Sequence, residues 1–147
     1  MTTPEPRINA ITLGVNDLER AVAFYRALGW TSPGIVGTEY VGSEDSPAGA
    51  VAMFTLADGL ILSLYPRSEL AKDAGVNALP EGSAMSLGHF VDTREEVDHV
   101  LARAAEVGAR VHGAAHDRPW PIYSGYFSDP DGHLWEVLCL RRSEDAG

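Results

Sequence analysis

The sequence predicts an α+β fold in which one unit, a curled sheet with a single helix, is repeated twice. Three observations predict it. The order of strand, helix and short strands occurs twice, each helix begins with the same capping pattern, and each helix ends at a glycine. Because one sheet with one helix cannot bury both sheet faces, the two units must pair. We therefore expect two incompletely closed, barrel-like sheets around a shared cavity.

The first unit is predicted over about residues 7–66 from periodicity and turn residues. Asn16 and Glu19 have the spacing of a capping box, so a helix begins there, and Gly29 ends it. Ala57-Asp58-Gly59 is a tight hairpin turn. The predicted elements are a strand at residues 7–15, a helix between residues 16 and 29, weak strands at residues 30–35 and 38–41, and hairpin strands at residues 50–56 and 60–65.

A connector over residues 67–83 contains a short predicted helix at residues 68–75, and the second unit follows over about residues 84–142. Asp92 and Glu95 repeat the capping spacing. The predicted elements are a strand at residues 85–91, a helix between residues 92 and 108, a short strand at residues 109–112, a loop at residues 113–121, and hairpin strands at residues 123–128 and 133–140.

The final hairpin contains the most unusual residue of the chain. Asp129-Pro130-Asp131-Gly132 is a strong turn signal, because the proline presets φ and the first aspartate can bond back to the turn backbone. The strand that follows is apolar on both faces except for Glu136. A carboxylate there is costly unless it meets a cation, a donor or a water-filled cavity. Two interpretations stay open: Glu136 pairs with an arginine at the barrel mouth, or it points into a ligand cavity.

The run Tyr126-Phe127-Ser128-Asp129-Pro130-Asp131-Gly132-His133-Leu134-Trp135-Glu136-Val137 resembles the C-terminal signature of the glyoxalase / bleomycin-resistance / dioxygenase superfamily, also called vicinal oxygen chelate. The resemblance extends over nearly the whole chain and implies one domain, residues 1–147, of two paired βαβββ modules. It also implies a homodimer, since relatives cover the edges of open sheets with a partner. In metal-using members, the residue that matches Glu136 is a metal ligand.

The resemblance implies four metal-ligand positions, two in each module. Three of them fall at Ala10, Ser63 and Ser86, whose side chains bind metal weakly or not at all, while Glu136 is retained. One carboxylate does not hold a divalent ion at useful affinity. We therefore predict no metal site and no cofactor.

A divalent metal is expected only if an alternative holds. A one-residue slip in strand register would bring Asn9 or His89 inward. His112, His116 and Asp117 form a second candidate group, because four-residue spacing on a helix would place both imidazoles on one face. The glycine and prolines nearby favour a loop, and a loop favours exposure of these side chains to solvent.

Aromatic side chains are the best candidates to line a cavity, because they hold flat or cationic molecules by stacking and cation–π contact. Trp120 stands between two prolines on a predicted loop and is the best candidate for an exposed pocket wall. For each aromatic residue, a place in the core is the open alternative. The predicted ligand-binding residues are Phe54, Ser63, Tyr65, Trp120, Tyr123, Tyr126 and Glu136.

Charge and composition exclude several classes of partner. The net charge of −10, from 11 basic and 21 acidic residues, opposes binding to nucleic acid or to an anionic membrane. No apolar run approaches a membrane span and no N-terminal secretion pattern is present, which favours the cytoplasm. The lone Cys139 excludes a disulfide framework.

These observations favour a metal-independent protein that binds a small organic molecule. Related resistance proteins, by the resemblance, hold a cationic aromatic antibiotic without metal ligands, so an aromatic or cationic ligand is expected here. The alternative is a metal-dependent lyase, isomerase or dioxygenase of the same superfamily. Catalytic residues are not readable from the sequence beyond Glu136, which in a metal-free enzyme would act as a general base.

Overall fold

The computed structural model describes residues 3–82 and 84–140, and the chain divides into two compact units, Met1–Pro80 and Glu81–Gly147. Each unit contains one sheet, and neither sheet closes into a barrel. The predicted α+β class with two open sheets is therefore confirmed. The organisation of both modules as a single domain stays a prediction. The end of the second module at residue 142 lies outside the described residues.

The first sheet has the strand order β1–β4–β3–β2, with β1 parallel to β4 and the other neighbours antiparallel. Its core lies against α1, where the rings of Tyr25 and Phe54 are fully buried with centroids 6.0 Å apart. The elements are β1 (Ala10–Val15), α1 (Leu18–Ala27), β2 (Ile35–Val36), β3 (Val51–Thr55), β4 (Ile61–Pro66) and α2 (Arg67–Ala74).

The second sheet has the order β5–β9–β8–β6, with β7 also paired to β8 and with β5 parallel to β9. Helix α3 packs on β8 and β9, and its apolar residues Val97 and Leu101 are buried. The elements are β5 (Ser86–Phe90), α3 (Arg94–Glu106), β6 (Arg110–Val111), β7 (His116–Asp117), β8 (Ile122–Ser128) and β9 (Leu134–Leu140). None of the helices in the described ranges has the length and apolar character that crossing a membrane requires.

Helices α1 and α3 each begin one residue later than the capping boxes predict. Asp17, not Asn16, caps α1 by accepting a hydrogen bond from the backbone N–H three residues on, at 3.0 Å. Thr93, not Asp92, caps α3 in the same way at 3.1 Å. The reason is the backbone, because Asp17 and Thr93 are the extended residues directly before each helix. The cap is displaced by one residue in both units, as expected if the two units repeat one structural pattern.

Three strand predictions also change. Residues 38–41 are not a strand and begin with a turn at residues 38–39, and the strand expected at residues 30–35 shrinks to β2. Gly34, Gly37 and Gly42 have φ values of 100°, 78° and 76°, and this left-handed backbone interrupts strand pairing. The predicted loop at residues 113–121 contains the two-residue strand β7.

Candidate functional site

Glu136 lies on the face of the second sheet that α3 leaves open. An added Cβ at Gly125 would come within 2.5 Å of Leu101 in α3, so Gly125 and its cross-strand partner Val137 face the helix. Successive side chains on a strand point to opposite faces. Tyr126 and Glu136, which pair across β8 and β9, therefore face away from α3.

Tyr126 and Glu136 form an acid–phenol pair on this open face, and both are partly buried. Burial raises the pKa of Tyr126, and the charge of the nearby Glu136 carboxylate raises it further. The Arg118 guanidinium acts in the opposite direction. The phenol is therefore a protonated hydrogen-bond donor near neutral pH.

Arg118 completes the group. The central carbon of its guanidinium lies 5.6 Å from the centre of the Tyr126 ring. Its Nε donates to the Oγ of Ser124 at 2.9 Å, and a terminal nitrogen donates to the Ser124 carbonyl at 3.2 Å. Ser124 is fully buried, so the arginine also satisfies a polar group that would be costly to leave unbonded. We call Arg118, Tyr126 and Glu136 the Glu136 cluster.

A glycine without a side chain lies beside the Glu136 cluster in the sheet. Gly88 of β5 pairs with Glu136, and the nearest atom to an added Cβ there is in the Phe90 ring, at 3.4 Å. The cluster thus presents a carboxylate acceptor, a phenol donor and a cationic plane on one face of the sheet. Such a set can hold a planar organic molecule by hydrogen bonds and stacking.

The first unit contains a separate cleft of about 250 Å³. Ser63 and Tyr65 reach it from β4, and Ser63 pairs in register with Thr12 of β1. The phenol of Tyr65 donates to the carbonyl of Ala48. The lining residues are Thr12, Gly49, Val51, Ser63, Tyr65, Leu70 and Asp73, and we call this space the first-unit cleft.

Four of the seven predicted ligand-binding residues lie in the Glu136 cluster or in the first-unit cleft. The three that lie elsewhere are Phe54, Trp120 and Tyr123. Trp120 lies at the tip of the hairpin between β7 and β8 and is 56% exposed, two residues beyond Arg118. Phe54 and Tyr123 reach neither place. Their expected inward positions are corrected, because both lie on the helix-covered parity of their strands.

Packing against the helices explains the positions of Phe54 and Tyr123. Phe54 is fully buried against Tyr25 of α1. Tyr123 donates its hydroxyl to Asp98 of α3 at 2.7 Å, and chiefly this hydrogen bond raises the pKa of Tyr123 to about 12. Arg94, also from α3, lies 5.0 Å from the centre of the Tyr123 ring. Tyr123 therefore ties the sheet to its helix.

The side chains present do not fit the four-ligand metal site that the family implies. Ala10 and Ser86 are the first residues of β1 and β5. The side chain of Ala10 has no ligating atom, and that of Ser86 has only a neutral hydroxyl. Among the described residues, no group of three His, Cys, Asp or Glu side chains could hold a metal ion. The carboxylate of Glu136 and the weakly ligating hydroxyls of Ser63 and Ser86 are the donors that are left at these positions.

The histidines do not supply the missing donors in the described ranges. The Nε2 of His112 lies 2.7 Å from the Oγ of Ser128, whereas His116 contacts the backbone of its neighbour on β7. His89 pairs with Val137 and so shares the face that α3 covers. Burial lowers the pKa of His89.

Sequence reasoning missed Arg118 and Asp73. Arg118 follows β7, a strand of two residues, which is too short to show any period in the sequence. Asp73 lies on α2 and reaches the first-unit cleft by packing that helix against β1 and β4.

Comparison with known proteins places the chain in a family. The model of the Glyoxalase/Bleomycin resistance protein/Dioxygenase superfamily matches residues 7–137. A glyoxalase-related enzyme from Fulvimarina pelagi is 27% identical with a TM-score of 0.74, covering 92% of this chain and 88% of that one. A glyoxalase/bleomycin resistance protein/dioxygenase from Nocardioides is 26% identical with a TM-score of 0.74, covering 99% and 91%.

A lactoylglutathione lyase from Agrobacterium tumefaciens is 25% identical, with a TM-score of 0.60 and coverage of 93% of this chain and 96% of that one. No curated protein matches the chain in sequence. The family match spans most of the chain and agrees with the two open sheets and with the hairpin that contains Glu136. The chain therefore belongs to the glyoxalase/bleomycin resistance protein/dioxygenase superfamily.

Proposed function

We propose that this protein binds a small organic molecule, aromatic or cationic, without the help of a metal ion. The Glu136 cluster is the observation that carries the proposal. It combines an acceptor, a donor and an aromatic ring on a sheet face that α3 does not cover. A charge in the middle of an apolar strand is costly, so its presence there favours a functional use.

The first-unit cleft supports the same function. It brings hydroxyl, aromatic, apolar and acidic side chains together in a space of about 250 Å³. Pockets of small-molecule binding proteins have this mixture of apolar walls and a few converging polar groups. The matched family includes bleomycin resistance proteins by its description, alongside glyoxalases and dioxygenases.

Replacing Glu136 tests the proposal. In a titration followed by tryptophan fluorescence, a bleomycin-type antibiotic or another flat aromatic cation should quench wild-type emission. Glu136→Gln should weaken binding by roughly tenfold or more, because a hydrogen bond to a charged group contributes about 1.5–3 kcal/mol. Glu95→Gln, on an exposed residue of α3, is the matched control and should bind like wild type. Absence of quenching by any aromatic cation would reject this ligand class.

The alternative function is that of a metal-dependent lyase, isomerase or dioxygenase. The likeness to a lactoylglutathione lyase and the retained Glu136 favour it. Elemental analysis of purified protein separates the two functions. We expect no stoichiometric Zn, Ni, Mn or Fe, and a full equivalent of any of them bound through Glu136 would support the alternative. For metal-free catalysis, unchanged turnover in Glu136→Gln would reject Glu136 as general base.

We also propose a homodimer located in the cytoplasm. Large apolar side chains support association, since Phe90 is 67% exposed and Leu140 is 62% exposed. Strand β5 is an edge of its sheet, and a partner can cover such an edge. Sedimentation should give twice the mass of one 15.8 kDa chain. A monomer at all concentrations would contradict this, and cell fractionation tests the location.

A further inference from the structure

We propose that the first-unit cleft binds the ammonium group of a small primary amine. The inference rests on the proposed function and deepens it, since it assigns a ligand class to Ser63 and Tyr65. Four features of the cleft point to this class: a buried hydroxyl, an acidic group, a fixed aromatic wall and a small volume.

The first feature is the hydroxyl of Ser63. Ser63 is only 8% exposed, and it lines the cleft next to Thr12. In the described part of the chain, no side chain or backbone group forms a hydrogen bond with it. The hydroxyl borders the cleft, and its lone pairs can accept a hydrogen bond from a ligand N–H. The side chain is therefore an acceptor that a bound donor would satisfy.

The second feature is the charge of Asp73. The neighbouring acid, Glu69, is already engaged, because it accepts from the backbone of Ala48 at 2.9 Å and from Lys72 at 3.2 Å. Lys72 also donates to the carbonyl of Ser43 at 2.9 Å. Within the described residues, no lysine or arginine forms an ion pair with Asp73. The carboxylate that lines the cleft is thus available to a cationic ligand.

The third feature is the ring of Tyr65. Its hydroxyl is held by the Ala48 carbonyl, so the ring has a fixed place in the wall of the cleft. Burial raises the pKa of Tyr65, and the charges of Asp73 and Glu69 raise it further. The ring therefore lies in a negative field and can contact a cation through its face.

The fourth feature is size. The cleft measures about 250 Å³, and Val51 and Leu70 provide apolar walls. Since a water molecule occupies about 30 Å³ of liquid, this volume fits a short alkyl chain or a single ring. A primary ammonium group has three donors, which match the hydroxyls of Thr12 and Ser63 and the carboxylate of Asp73. A carboxylate ligand would be repelled by the same acid.

Calorimetric titration with benzylammonium tests the inference, with benzyl alcohol as the neutral analogue of the same shape. Benzylammonium should bind about tenfold more tightly than benzyl alcohol, because the alcohol lacks the charge. Asp73→Asn should lower the affinity for benzylammonium by about tenfold and Ser63→Ala by severalfold. Asp58→Asn, which makes the same charge change in the turn between β3 and β4, should leave affinity unchanged.

The outcomes separate this inference from the proposed function. Equal affinity for the amine and the alcohol, or equal losses in Asp73→Asn and Asp58→Asn, would overturn the amine assignment. If an aromatic cation binds through Glu136 while benzylammonium fails to bind, the amine assignment alone is wrong. If neither ligand binds, the proposed function fails as well.

Discussion

Single residues in this protein show how a polar group is made tolerable inside a sheet. Glu136 meets the phenol of Tyr126, and Arg118 lies over the same ring. Ser124 is fully buried on the same strand as Tyr126, and its hydroxyl accepts a hydrogen bond from that arginine. Each polar group therefore has a partner, and the open face of the sheet remains available. The same reasoning applies to His89, which burial keeps in its neutral form.

His89 should make folding stability depend on pH. Burial lowers the pKa of His89 below its ordinary value of 6.5, so the unfolded chain takes up a proton more readily than the folded one. Stability is then highest above about pH 6.5 and falls as the pH drops below it. Urea unfolding at about pH 7 and about pH 5 should show a smaller fall for His89→Gln than for wild type.

The exposed His99 of α3 provides the control. His99→Gln should keep the full wild-type fall in unfolding free energy. Equal falls in wild type and His89→Gln would show that proton uptake at His89 does not contribute.

At the scale of elements, the turn between β8 and β9 fixes the strand that contains Glu136. Asp129 is 4% exposed, and one carboxylate oxygen accepts from the backbone N–H groups of Asp131 at 3.0 Å and His133 at 2.9 Å. Gly132 has a φ of 88°, which glycine adopts without strain. The turn thus sets the register in which Glu136 pairs with Tyr126.

Replacing Asp129 should destabilise the second unit. Asp129→Ala removes the acceptor for two partly buried N–H groups, and we expect a loss of about 1–3 kcal/mol of unfolding free energy. Asp129→Asn keeps one acceptor oxygen and should lose roughly half as much. Denaturant unfolding monitored by circular dichroism measures both. Equal losses in the two variants would mean that the acceptor oxygen is unimportant and that only packing matters.

The sequence predicts elements that have a clear periodicity or turn signal. It does not decide between neighbouring cap residues or between the two faces of an apolar strand. The repeated order and the final hairpin are read from periodicity and turn residues. Two cap-forming residues in a row, Asp92 and Thr93, cannot be ranked without the backbone angles that select Thr93. Strand β3 is apolar on both parities, so the side on which α1 packs, and with it the burial of Phe54, is visible only in three dimensions.

For the whole molecule, the fold establishes the superfamily but does not establish the function. The open sheets and the match over residues 7–137 fix the superfamily. The same fold supports enzymes and binding proteins, so activity must be argued from the site. Glu136 was found from the sequence because a charge interrupts an apolar strand, whereas Arg118 and Asp73 were missed because tertiary packing alone brings them to their sites.

The central claim is that an organic ligand contacts the Glu136 cluster without a metal ion. Amide chemical shifts of the isotope-labelled protein, followed during titration with a flat aromatic cation in excess chelator, test it most directly. If the ligand contacts the cluster, the amides of Gly88, Tyr126 and Glu136 should shift in a saturable manner. It is contradicted if these amides stay still while others shift, or if binding appears only after zinc or another divalent ion replaces the chelator.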